Sequence, residues 1–109
     1  MIVSEKNVSD ALHYLAQDPH PVALARKDLT DAENDKERVY ASIYAEQSGS
    51  VRDREMATER DERVCGCNVV IAEALLGLER HKARVRAAEM LIEVWRSENA
   101  NVRAAERVR

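Results

Sequence analysis

The chain has 109 residues, 34% of them charged, with three Gly, two Pro and no Phe. That length is one domain, and the abundance of Ala, Glu, Arg and Val is that of an all-α protein. A formal net charge of −3 excludes bulk positive charge as a route to nucleic acid, and no alternation of β-branched and polar residues lasts long enough for a strand.

The first predicted helix covers residues 9–17. Ser9 is placed to cap it, Asp10 suits the positive end of its dipole, and Ala11, Leu12, Leu15 and Ala16 form one apolar face. Asp18-Pro19-His20-Pro21 ends it, because a residue before proline is pushed out of the helical region. Pro21 then opens a second helix over 21–47, where a missing N–H costs nothing. Its apolar positions run Val22, Ala25, Leu29, Ala32, Lys36, Val39, Ile43 at alternating spacings of three and four, the seam of a coiled coil. Lys36 is the polar interruption, lying along the groove with its ammonium in water, and Tyr40 and Tyr44 flank the seam.

Ser48-Gly49-Ser50 makes a turn over 48–50, and Ser50 with Asp53 starts a third helix over 51–107. The segment Arg52 to Arg63 is densely charged, with only Met56 and Ala57 as apolar contacts, so a break is expected at 58–61. Beyond it the seam resumes: Val64, Cys67, Ile71, Ala74, Leu78, His81, Val85, Ala88, Ile92, Trp95, Asn99, Val102. Gly66 and Gly77 each cost about 1 kcal/mol relative to Ala in a helix, and close approach of a neighbouring helix is the expected reason for them.

The fold expected is therefore a short N-terminal helix followed by an antiparallel coiled-coil-like hairpin with one very long C-terminal helix, all within a single domain of residues 1–109. The lengths do not match. The second helix spans about 39 Å and residues 51–107 about 85 Å if unbroken. The seam from His81 onward then has only the first helix beside it. Burying Val85, Ile92 and Trp95 is worth roughly 1.5–3 kcal/mol each, so a second chain is expected over His81, Val85, Ile92, Trp95 and Asn99, with a homodimer favoured. Asn99 suits the register-fixing role of a buried coiled-coil Asn, or marks the fraying end of the helix.

No catalytic or cofactor motif stands out, so the expectation is a protein that is not an enzyme and has no cofactor or metal. Cys65 and Cys67 point about 200° apart on a helix and read as free thiols in a reducing compartment. A zinc site would need a second ligand pair. Glu55 and Glu59 share a helix face, but Arg52, Arg54, Arg60 and Arg63 interleave with them as a solvated salt-bridge surface. Residues 1–62 hold 14 acidic and 8 basic groups, a balance of −6, while residues 63–109 hold 6 and 9, a balance of +3. Arg96, Arg103 and Arg107 fall on one face and are the candidates for contact with a partner or with phosphates. There is no signal-peptide core and no membrane-spanning run, which places the protein in the cytoplasm, away from membranes.

Two segments carry a resemblance. The run from Glu46 through Gln47-Ser48-Gly49-Ser50-Val51 to Arg52-Asp53-Arg54-Glu55 and, more distinctively, the tail Ala87-Ala88-Glu89-Met90-Leu91-Ile92-Glu93-Val94-Trp95-Arg96-Ser97-Glu98-Asn99-Ala100-Asn101-Val102-Arg103-Ala104 resemble small helical proteins of tailed bacteriophages and prophages. These are encoded near phage recombination genes, such as those of single-strand annealing proteins. The resemblance covers about residues 36–107 and implies an origin, in the host-cell cytoplasm, without implying catalytic residues. The function expected is an oligomeric accessory protein that assists phage DNA recombination or replication by binding a phage or host protein or DNA. Two alternatives stand beside it: an inhibitor of a host nuclease or CRISPR effector working through the acidic half, and a virion assembly scaffold.

Overall fold

The computed structural model describes residues 3–108. Its helices are α1 (Glu5–Leu15), α2 (Pro21–Glu46), α3 (Val51–Arg60) and α4 (Glu62–Val108), and no strand occurs among the described residues. The all-α hairpin with a long last helix is the architecture expected from the seams.

Helix α1 begins earlier than the predicted residue 9. Ser4, not Ser9, is its N-cap: the Ser4 hydroxyl accepts a 3.2 Å hydrogen bond from the Asn7 N–H. Starting at Glu5 brings Val8 into the helix and turns the apolar face. Val8, Ala11 and Tyr14 are buried, while Leu12 is 51% exposed and Ala16 is also exposed.

The α2 seam holds throughout, with each of its seven positions buried or half-buried and Ile43 only 1% exposed. The helix stops where glycine permits it to. Gly49 adopts φ 106°, a conformation that costs an L side chain. Ser50 then caps α3, accepting from the Asp53 N–H at 3.1 Å.

The expected break falls at Asp61, whose backbone is extended (φ −63°, ψ 135°). Its carboxylate accepts the Arg63 N–H at 2.9 Å and so caps α4. Within α3 the sequence pattern misled: Met56 and Ala57 are exposed, and the buried residue is Thr58, at 0%. The Thr58 hydroxyl donates to the Arg54 carbonyl at 2.7 Å, which lets a polar side chain sit inside at little cost.

Helix α4 has 47 residues, about 70 Å of helix. Its seam is buried or half-buried from Val64 to Asn99, and only Val102 is exposed. Gly66 and Gly77 do not mark close approaches: a Cβ added at either would meet nothing within 4 Å. The chain divides into two compact units, Val22–Glu79 and the residues up to Pro21 with those from Arg80 onward. The first is the α2–α3–α4 hairpin, with Ile43, Thr58 and Val64 as its most buried side chains. The second packs α1 on the C-terminal half of α4 around Ala11, Tyr14 and Ala88.

Candidate interaction surface

In the unit that joins α1 to the end of α4, Tyr14 is the centre, only 4% exposed. Its hydroxyl lies 3.3 Å from His81 Nδ1 and donates to the His81 carbonyl, also at 3.3 Å. The Arg84 guanidinium stands 4.1 Å over the Tyr14 ring, and His20 approaches the ring edge at 5.0 Å between centroids. A cation over an aromatic face is attracted by the ring quadrupole, so Tyr14 is held from above, from the side and through its hydroxyl.

This arrangement places the predicted interface residues. His81 is committed to Tyr14, and Val85 and Ile92 pack with Leu15 and Leu91 against the Ala11–Tyr14–Ala88 cluster. The cover that the sequence assigned to a second chain is supplied by α1 at those three positions. The reason is which face of α1 turns inward: Ala11, Tyr14 and Leu15 lie on α4, in place of the expected face of Ala11, Leu12, Leu15 and Ala16, of which Leu12 and Ala16 are exposed.

Trp95 and Asn99 are placed differently. They are half-buried and line an open groove with Arg96, Val102, Arg103 and Glu106. Seam residues and arginines thus meet in one place: Arg96 and Arg103 are exposed beside the indole, and Arg103 Nε donates to the Asn99 carbonyl at 3.4 Å. Arg107 is exposed one turn further on, outside the groove lining. Trp95 supplies a flat apolar face and the arginines supply planar donors, the combination that suits a base and its phosphate or a partner's apolar side chain and carboxylate.

Tyr14 was not singled out by sequence, although its spacing from Ala11 fits a helical stripe once Val8 is included. Cys65 is exposed and Cys67 half-buried, both as free thiols. Among the described residues, no group of three His, Cys, Asp or Glu side chains is arranged to hold a metal ion. No helix of the described residues is long and apolar enough to cross a membrane. Comparison with protein-family models, curated proteins and solved structures finds no match.

Proposed function

We propose that this protein is a non-enzymatic accessory factor of phage DNA recombination or replication, working by binding through the C-terminal end of α4. The observation that supports this reading is the groove in which Trp95, Asn99 and Val102 lie beside Arg96 and Arg103. An aromatic side chain and arginines along a helix are the elements of a sequence-tolerant contact to single-stranded nucleic acid, with stacking from the ring and charge from the guanidinium groups. They equally serve a protein partner that offers an apolar residue and a carboxylate. The phage setting rests on the resemblance of residues 36–107. A homodimer belongs to the same proposal: Val102, the last seam position, is 49% exposed, and a second copy there would bring two sets of Arg96, Arg103 and Arg107 together.

Fluorescence anisotropy with labelled single- and double-stranded DNA, at about 50 and 200 mM salt, tests the reading alongside light scattering for mass. Binding that weakens steeply with salt, and is lost when Arg96 and Arg103 become Ala, supports a direct role on DNA. Absence of binding at the lower salt removes DNA as the ligand, and pull-down from host lysate with the wild type and the Arg96→Ala, Arg103→Ala variant then tests the protein-partner form.

A further inference from the structure

The hairpin unit carries a second surface of opposite charge. Tyr40 and Tyr44, one turn apart on α2, stack with ring centroids 6.4 Å apart and planes 15° from parallel. Tyr40 also lines an open groove of about 480 Å³ with Glu33, Lys36, Glu37 and Ile71. From α3, Glu59 and Glu55 bear on the same side chain. Partial burial, then the fields of Glu59 and Glu55, push the Tyr40 phenol above its ordinary value. Two carboxylates, those of Glu33 and Glu37, thus line the groove around one half-buried aromatic ring beside the ammonium of Lys36, and the charges of Glu59 and Glu55 reach the same ring from α3.

We propose that this groove docks an arginine-bearing segment of a partner protein. The chemistry selects the occupant. A guanidinium stacks on an aromatic face and donates in a fixed fork to carboxylates, whereas an ammonium does the first less well and lacks the second. An acidic or phosphorylated segment is repelled by Glu33, Glu37, Glu55 and Glu59. This surface shares no residue with the Trp95 groove, so it binds a different class of ligand from the one proposed there, and each reading can fail alone.

The test is anisotropy of a labelled peptide with four arginines separated by glycine and serine, beside its lysine counterpart, at about 50 mM salt on the full chain. The arginine peptide should bind more tightly than the lysine peptide. Tyr40→Leu should weaken it by about threefold to tenfold, as should Glu37→Gln with Glu59→Gln, while Tyr40→Phe keeps the ring and the affinity. Glu89→Gln with Glu93→Gln removes the same charge from the other unit and should change little. The proposal is overturned if the arginine peptide does not bind, or binds no better than the lysine one. Equal losses from the two Glu pairs would overturn it too, as would a concentration-dependent dimer that buries Tyr40. If Tyr40→Leu fails to fold by circular dichroism, the comparison of the two exposed Glu pairs decides.

Discussion

Arg63, in the first turn of α4, reaches Glu46, the last residue of α2, through two hydrogen bonds of 2.9 and 3.3 Å. The same guanidinium holds Asp61 through two more, each 3.0 Å. Asp61 is the residue at which α3 stops and α4 starts, so one arginine ties the break in the chain to the end of the neighbouring helix. Arg63 and Glu46 stay more than half exposed, so a solvated salt bridge of the kind expected for Arg63 here also ties a junction.

This junction should be acid-sensitive. The hydrogen bond from Arg63 is the largest influence on both Glu46 and Asp61, and it holds both carboxyls below their ordinary values. Groups whose folded pKa is depressed add stability that is complete above the unfolded pKa, about 4, and lost as pH falls through the folded value. Urea midpoints of wild type and Arg63→Ala should therefore differ by a constant amount from pH 6 to 8 and converge as the pH drops below about 4. A gap that persists at pH 2 would show that Arg63 acts by packing instead. The exposure of the pair keeps the effect modest.

Burial ranks the hairpin positions. Ile43→Ala removes a side chain that is 1% exposed and should cost about 2–5 kcal/mol in urea unfolding. Leu24→Ala, on the same helix but 47% exposed, should fall within about 1 kcal/mol of wild type.

Thr58 sets a different test. Thr58→Val keeps the shape and drops the hydroxyl that donates to the Arg54 carbonyl, for an expected loss of about 1 kcal/mol. Thr58→Glu puts an unpaired charge into a site with no exposure and should unfold the hairpin unit, read as lost helical ellipticity.

Gly66 and Gly77 offer a gain. With open space where a Cβ would go, Ala at either position should raise stability by about 0.5–1 kcal/mol. A loss at either site would mean that another helix closes on it in solution.

Tyr14→Phe should loosen α1. Losing the hydroxyl contacts to His81 should cost about 0.5–1.5 kcal/mol, and amide exchange should quicken in residues 5–15 while the hairpin unit stays protected.

The seams were legible because their period is set by burial. Every α2 seam position, and every α4 seam position from Val64 to Asn99, is at least half-buried, and the turn at Gly49 was marked by the one residue type that tolerates its φ. Three features were not legible. Thr58 hid among charges because its hydroxyl is satisfied by its own helix. The start of α1 shifted because Ser4 and Ser9 are equally good caps by type, and only packing of Val8 and Tyr14 decides between them. The cover over His81, Val85 and Ile92 was hidden because it rests on Tyr14, which bonds His81 and packs with Ala11 and Leu15 on α4, and an aromatic with a hydroxyl does not declare from sequence which way it faces. The Trp95 groove was half legible: Trp95, Asn99, Arg96 and Arg103 were each singled out, but their shared groove depends on how the end of α4 is left open.

Trp95 is the sole tryptophan, so its emission reports on the groove directly. Titrating the protein with a single-stranded oligonucleotide at about 50 mM salt should quench that emission with a saturable curve, since bases stack on aromatic side chains in such contacts. The curve should weaken when Arg103 is replaced by Ala. An emission that stays flat while a labelled strand binds elsewhere on the protein would contradict the assignment of the C-terminal end of α4 as the working surface.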